Sequence, residues 1–421
     1  MTSSGTPNVT SQSLITEDHV RKALNSDKGS DAILDSWKVV DFTKPGDNYA
    51  CIVTSVEVKY QKDKQDCEVT YVVKLNSLRK FEGLEDFTPI IFDKEGRFYK
   101  EVLPALNEEL LSVGQHPLRL PKCFLVSLEN GKEQLYFEDL RAMDFKMNDR
   151  RKGLSKDHTV LIMNELARLH SASYLLMSKF DKGETVGTKY EFLTKEMFDM
   201  NPASKELFQP MFEQQIDTGV MMLEKIGGYE TSIRWLKTLK PEIDMLFTTY
   251  MKSEKFNSIC HGDCWNNNFL FRYDDEGHPI DVMLLDLQMC REASIASDLN
   301  YFLYSSVSGD VRVPNIDQIM SVYHKSYKQV LEAAGLPMYF DEKELMEEFR
   351  AKNKIGALSS IGFVPIILLE PEEAPELADS DWETLVQEWR AIALDKLKTN
   401  PLCQPRFLSV FDELMETGLI S

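Results

Sequence analysis

The chemistry in this sequence is concentrated in two stretches. The first is His261-Gly262-Asp263-Cys264-Trp265-Asn266-Asn267-Asn268, and the second is Leu284-Leu285-Asp286-Leu287-Gln288. An Asp, an Asn shortly after it and a second Asp at a strand end make a particular chemical set. One carboxylate can accept a proton from an attacking hydroxyl. The Asn amide oxygen and the second carboxylate suit Mg²⁺, a hard cation that takes one or two oxygens from protein and the rest from phosphate and water. That is the equipment of phosphoryl transfer. Any single Asp here is explained well enough by a polar hairpin with an Asx turn. The joint pattern, with strand-type flanks, is not.

Such a site needs a lysine for the nucleotide's phosphates. Lys74 ends the apolar run Tyr71-Val72-Val73, where a charge is costly unless paired. Glu95, in the first helical pattern downstream, is its candidate partner, and a Lys–Glu pair would fix the ammonium beside the α- and β-phosphates. Taken alone, Lys74 reads as a strand-end lysine reaching solvent. Lys44-Pro45-Gly46-Asp47-Asn48-Tyr49-Ala50 falls where a phosphate-covering loop belongs. Its backbone N–H groups can approach phosphate, but one Gly is no fingerprint and an ordinary hairpin turn fits as well. Leu135-Tyr136-Phe137-Glu138-Asp139-Leu140 lies where β-type sequence gives way to helical sequence. An adenine ring would sit there, or the acids simply solvate a linker. His261 is assigned a scaffolding role within its loop. Asp298 is either a plain helix N-cap before Leu299 to Leu303 or a brace for the loop backbone. Trp265 reads as a packing anchor. Cys264, beside the candidate base, is a place where alkylation would inhibit by bulk. Lys146, Arg150, Arg151 and Lys152 form a basic cluster, read as a solvated helix start or an anion-steering patch.

The elements that must position these residues follow from hydrophobic periodicity. Cys51 to Val58 and Val69 to Leu75 are β-branched strand runs, with Lys59 to Asp66 as a polar hairpin loop. Residues 88–112 turn helical, with Pro104 expected to end or kink the helix. Cys123 to Leu128 and Gln134 to Phe137 are strands around Asn130-Gly131, a strong hairpin signal. Beyond Leu140 the chain is mostly helical, with a long helix from Asp157 to Met177 and a strand island from Ser258 to Gln288. The expected organisation is a loose tail over 1–12, a β-rich lobe with one helix over 13–137, a hinge at 138–141 and a helical lobe over 142–421. The fold class is α+β, with a small antiparallel sheet lobe, a large helical lobe and a ligand cleft between them.

The chain has 421 residues, 43% hydrophobic and 28% charged, which suits a globular protein with a substantial core. Lys and Arg number 48 against 68 acids, a net charge of −20. That opposes nucleic acid as a partner, since such affinity comes from Lys and Arg replacing counterions. It equally opposes an anionic membrane surface. Met1 to Gln12 lacks the apolar core of a secretory signal, and the purest apolar stretch, Ile361 to Leu369, is too short to span a bilayer. Seven cysteines without a Cys-x-x-Cys pair read as reduced thiols, so a cytoplasmic location is expected.

With these residues in hand, the chain resembles the ecdysteroid kinase-like family, also called CHK kinase-like, within the aminoglycoside/choline phosphotransferase branch of the kinase fold. The matching stretches include Gly46-Asp47-Asn48-Tyr49, Tyr71 to Lys74, Glu95 with Phe98 to Pro104, Glu138-Asp139-Leu140 and Leu166 to Ser173. They end with His261-Gly262-Asp263-Cys264-Trp265, Asn268 and Asp286-Leu287-Gln288. They run in order over about residues 30–305 and differ from the His-Arg-Asp and Asp-Phe-Gly of protein kinases. The resemblance implies a bilobal protein-kinase-like fold that binds ATP with Mg²⁺. It implies Asp263 as base, Asn268 and Asp286 as metal ligands, and Lys74 paired with Glu95 at the phosphates. Gly46, Asn48, Glu138 and Leu140 are placed around the nucleotide, and His261 and Asp298 in support. The implied acceptor is a hydroxylated small molecule, an ecdysteroid or a foreign compound being detoxified. Leu287 stands where the family usually has Phe, and still fills an apolar slot.

Asp286-Leu287-Gln288 has no Gly to let a metal-binding loop flip, and no Ser/Thr-rich segment follows it, so a constitutively formed site is expected. A monomer is expected. The rival readings are a choline, ethanolamine or aminoglycoside kinase, for whose cationic acceptor the acidic run Glu370 to Glu376 could supply a pocket although a surface loop is the better reading of it, and a catalytically inactive kinase-like binding protein.

Overall fold

The protein was analysed as a computed structural model that describes residues 10–42, 51–78, 87–195, 202–370, 373 and 382–421. Lys44 to Ala50, with Gly46 and Asn48, lies outside the described residues, as do residues 1–9 of the expected tail. A short 3-10 turn, Ser11–Leu14, leads into α1 (Glu17–Lys28), whose cap Thr16 accepts the His19 N–H. Then come β1 (Ile33–Asp41), β2 (Ile52–Lys62), β3 (Gln65–Leu75), α2 (Phe87–Arg97), α3 (Leu103–Ser112), β4 (Cys123–Ser127) and β5 (Gln134–Glu138). The five strands form one antiparallel sheet in the order β1-β2-β3-β5-β4. One face of the sheet is closed by α1, whose Val20, Ala23 and Leu24 pack with Val56, Val58, Tyr71, Val73 and Tyr136. Each fully buried Val or Leu here contributes about 1.5–3 kcal/mol.

The polar run Lys59 to Asp66, expected as a loop, is strand almost to its tip. Only Asp63 and Lys64 turn, both with positive φ (51° and 64°) as a tight hairpin requires. Its polar side chains belong to a solvent-facing ladder, where Lys59 pairs with Glu68 at 3.2 Å. Pro104 also behaves differently from expectation. The helix passes through a π turn, Phe98–Val102, and Pro104 then sits in the first turn of α3, where its missing N–H costs nothing.

The remainder is mainly helical. It comprises β6 (Lys146–Met147), α4 (Lys156–Ser178), α5 (Val186–Lys189), α6 (Pro202–Ile226), α7 (Glu230–Leu239), α8 (Ile243–Phe247), β7 (Asn257–Cys260), β8 (Phe269–Tyr273), β9 (Pro279–Leu284) and β10 (Arg291–Ser294). It continues with α9 (Ile295–Ser306), α10 (Gly309–Ala333), α11 (Glu342–Ala351), α12 (Asn353–Ile367), α13 (Trp382–Thr399) and α14 (Cys403–Glu416). Phe92, Phe98, Leu106 and Leu110 join Ile162, Leu166 and Leu169 of α4 in one large core, so the α2–α3 segment is packed on the helical lobe as well as on the sheet. The expected α+β, bilobal, protein-kinase-like class is the one observed. No helix among the described residues is long and apolar enough to cross a membrane.

Candidate active site

Two short ladders bound the candidate loops. β7 pairs with β10, with Cys260 opposite Arg291, and β8 pairs with β9, with Phe269 opposite Leu284. Residues 261–268 and 285–290 are therefore the two crossings between the same pair of ladders and lie side by side. The Leu285 N–H donates to the Asn268 carbonyl at 2.9 Å, which sets Asn268 next to Asp286. Asp286 adopts a left-handed backbone (φ 64°), a conformation Asp tolerates better than most residues. The Asp286-Leu287-Gln288 turn is pinned, since Leu287 is fully buried and its N–H donates to Glu95 Oε1 at 3.3 Å.

Gly262 (φ 82°) is where the two crossings touch. A Cβ there would lie 2.0 Å from the Met289 carbonyl oxygen, a backbone atom that cannot step aside. Gly262→Ala will therefore cost more than the ~1–2 kcal/mol of left-handed strain alone, read as a fall in urea midpoint. An unfolding curve like the wild type's would show that the loops have room to part.

Lys74 is buried and paired with Glu95, so the alternative of a strand end reaching solvent is set aside. Its ammonium donates to Glu95 Oε2 at 2.5 Å, Asp286 Oδ1 at 2.7 Å and Gln288 Oε1 at 3.2 Å. Burial would depress it, but the carboxylates of Asp286 and Glu95 outweigh that and hold it well above the usual lysine range. Burial pushes the Glu95 carboxyl up, and the Lys74 charge opposes this. Glu95 reaches Lys74 because α2 lies close on β4. At the neighbouring Gly96 a Cβ would meet Val126 Cγ1 at 2.6 Å.

Asp263 and Asn268 are also together. Asn268 Nδ2 donates to Asp263 Oδ2 at 3.0 Å and to its carbonyl at 2.9 Å. The amide oxygen is the group left to ligate a cation. Burial raises the Asp263 carboxyl above the ordinary range, and the Asp286 charge adds to this, while hydrogen bonds from Tyr301 and Asn268 oppose it.

Asp298 braces the loop, and the plain N-cap alternative is set aside because Ser294 caps α9. The buried Asp298 carboxylate accepts the N–H groups of His261 (2.7 Å) and Gly262 (2.9 Å) and the Nε2 of His170 (3.1 Å). Burial works to raise its carboxyl, but His170 and these donors hold it below the usual range. His170 is in turn fixed by Tyr323 at 2.7 Å. His261 Nδ1 accepts the Asp263 N–H at 3.3 Å, consistent with scaffolding.

A cleft is lined from the five-stranded sheet by Val53, Val72, Lys74 and Phe137, and from the β8–β9 side by Asn268, Leu270, Leu285 and Asp286. Glu138 and Leu140 line it too. Glu138 is tied to Lys122 twice, its Oε1 accepting the Lys122 N–H (2.7 Å) and its own N–H donating to the Lys122 carbonyl (2.9 Å). Asp139 is no solvated linker residue, since it caps the turn Leu140–Met143 and pairs with Arg141 at 2.7 Å. Two apolar walls leading to a buried cation and two oxygen donors fit ATP with Mg²⁺.

Sequence reasoning missed several residues. Asn267 lines the cleft with a buried amide that has no partner among the described residues, and the run of three Asn was its only signal. Tyr301 donates to Asp263 Oδ1 at 2.7 Å. His170 lay within a recognised stretch but had no role. Three residues of the basic cluster are engaged within the protein: Arg151 pairs with Asp149 and Glu370, Arg150 donates to the Leu369 carbonyl, and Lys146 lies over Tyr273. Trp265 is buried against Phe363, as an anchor should be.

Cys264 corrects an expectation. It is wholly buried, and burial holds its thiol well above the usual range, so it offers neither access nor thiolate. Maleimide treatment of the folded protein will label the partly exposed Cys67 before Cys264 and leave turnover intact. Peptide mapping that finds Cys264 modified first, with parallel loss of activity, would contradict this.

A chain with this bilobal fold and this cleft is of the small-molecule phosphotransferase class. The profile of the ecdysteroid kinase-like family matches residues 45–336, and the chain belongs to that family. It is accordingly a small-molecule kinase acting on a hydroxyl, and the family implies ATP and a divalent metal. No curated protein matches the sequence. Among solved structures, an ethanolamine kinase from Plasmodium vivax aligns over 89% of this chain and 83% of its own at 11% identity, TM-score 0.42. The choline kinase LicA from Streptococcus pneumoniae aligns over 90% and 98% at 14% identity, TM-score 0.35. A microcompartment-associated aminopropanol kinase aligns over 91% and 98% at 11% identity, TM-score 0.35. At these values the likeness says nothing of the acceptor.

Proposed function

We propose that this kinase transfers the γ-phosphoryl group of MgATP to a hydroxyl of a neutral, largely apolar small molecule, of the ecdysteroid or hydroxylated xenobiotic kind. The observation that carries the transfer is the convergence of Lys74, Glu95, Asn268 and Asp286 on one cleft, with the Asp263 carboxylate hydrogen-bonded to Asn268 just behind it. MgATP, when bound, supplies the phosphoryl group and neutralises charge as it moves. Lys74 offers its ammonium to phosphate oxygens. The oxygens of Asn268 and Asp286 would hold the metal. Asp263 takes the acceptor's proton as the acceptor oxygen bonds to phosphorus. Fixed positions and fixed charges supply most of such an acceleration.

The acceptor class rests on a second cavity, between α6, α12 and α13. Met211, Ile361, Pro365, Ile366, Val386 and Trp389 are among its lining residues, and no carboxylate is. Phe363 of the same α12 packs on Trp265 and on Tyr301, the residue bonded to Asp263. Of the acidic run Glu370 to Glu376, the two described acids are already paired. Glu370 is paired with Arg151 and Glu373 with Lys396, and the other acids of the run lie outside the described residues. One observation favours an amino alcohol instead: the aromatic rings of Trp265, Tyr301 and Phe363 near the base would suit a quaternary ammonium. ADP release with a panel of ecdysteroids, other hydroxylated terpenoids, plant phenolic glycosides, choline and ethanolamine separates the two. Turnover with the first three groups supports the apolar acceptor, and turnover confined to choline or ethanolamine overturns it.

A further inference from the structure

We propose that Tyr301 is the positioning residue of the transfer, its phenol O–H holding the Asp263 carboxylate in the one orientation from which it can take the acceptor's proton. The inference rests on the kinase reading above.

The arrangement is built by a single helix. Asp298 and Tyr301 stand three residues apart on α9, on one face. Asp298 holds the backbone of the catalytic loop through the N–H groups of His261 and Gly262. Tyr301 holds the side chain that follows, donating to Asp263 Oδ1 at 2.7 Å. Asn268 donates to the other oxygen, Oδ2, at 3.0 Å. With one donor on each oxygen, the carboxylate plane is pinned about the Cβ–Cγ bond. Each oxygen keeps a second lone pair, so pinning leaves room for an acceptor hydroxyl.

The phenol is itself fixed from behind. Its ring packs on Phe363 with centroids 5.2 Å apart, and Phe363 packs on Trp265 at 4.9 Å. Burial and the adjacent Asp263 charge keep the phenol protonated, so it is a dependable donor. In the transfer, the acceptor oxygen bonds to the γ-phosphorus and the bond from that phosphorus to the bridging oxygen breaks, releasing ADP. The acceptor's proton passes to Asp263, and Tyr301 keeps its own.

Tyr301→Phe removes the O–H and retains the ring on Phe363. The probe is MgATP, with water and then each member of the acceptor panel as acceptor. We expect kcat for ADP release to fall about 10–100-fold, as for a misplaced reacting group, with KM for MgATP within about twofold of wild type. In an Asp263→Asn background the same substitution will cause no further loss, because nothing remains to be positioned. A Tyr301→Phe protein with wild-type kcat overturns the proposal. So does an equal proportional loss in both backgrounds, which would make Tyr301 a contributor to folding or binding independent of Asp263. Either result leaves the kinase reading standing. Wild-type protein that releases no ADP under any of these conditions overturns the kinase reading, and the role of Tyr301 with it.

Discussion

Replacing Asp263 with alanine will leave MgATP binding intact and lower turnover about 10²–10⁴-fold, the usual worth of a positioned proton acceptor. The separation of the two effects follows from the geometry. Asp263 does not line the cleft between the sheet and the β8–β9 hairpin, whereas Lys74, Asn268 and Asp286 do. Its carboxylate faces Tyr301 and Asn268 instead. Removing it frees the Asn268 amide but removes no group proposed to touch nucleotide. Titration with MgATP followed by intrinsic fluorescence gives the binding term, and ADP release gives the chemical one. Near-normal turnover in the variant would remove Asp263 from the role of base. Parallel loss of binding and turnover would place it among the nucleotide contacts.

Lys74→Met has the second large effect, on stability as well as activity. The lysine is the cation between two carboxylates, and its own side chain and that of Glu95 are only 7% and 3% exposed. Taking away the cation leaves Glu95 buried without its charge partner and Asp286 facing it across the gap. Breaking a buried pair from one side costs about 3–5 kcal/mol. We therefore expect a lower urea midpoint together with loss of turnover. The double variant Lys74→Met with Glu95→Gln will recover part of the stability and none of the activity, since it removes the stranded charge but not the need for a cation at phosphate. Unfolding of Lys74→Met at the wild-type midpoint would mean that the three-way pair contributes nothing to the fold.

Much of this site was legible because its parts lie in short contiguous runs. Asp263, Asn268 and Asp286 are separated by spacings that the β8–β9 hairpin preserves, so reading the hairpin amounted to reading their proximity. Lys74 and Glu95 came from a strand end and the helix after it. The parts that escaped are those made by docking distant elements. Tyr301 carries no signal in its own neighbourhood, because its meaning depends on α9 lying against the catalytic loop. Asp298 was left between two roles for the same reason. Cys264 looked reactive from its neighbours in sequence, yet packing decided its access. The run Lys59 to Asp66 was misread because polar side chains mark exposure, while the backbone ladder decides whether exposed residues are strand or loop. The apolar cavity draws on α6, α12 and α13, which no local pattern joins.

The most direct test of the central claim is to look for the transferred group itself. MgATP is incubated with the acceptor panel, and each acceptor is examined by mass spectrometry for one added phosphate, with wild-type protein and with Asp263→Asn. A phosphorylated acceptor that forms with the wild type and disappears with the variant is the result expected here. Wild-type protein that binds MgATP and phosphorylates none of the panel, or a product that forms equally well without the Asp263 carboxylate, would contradict it.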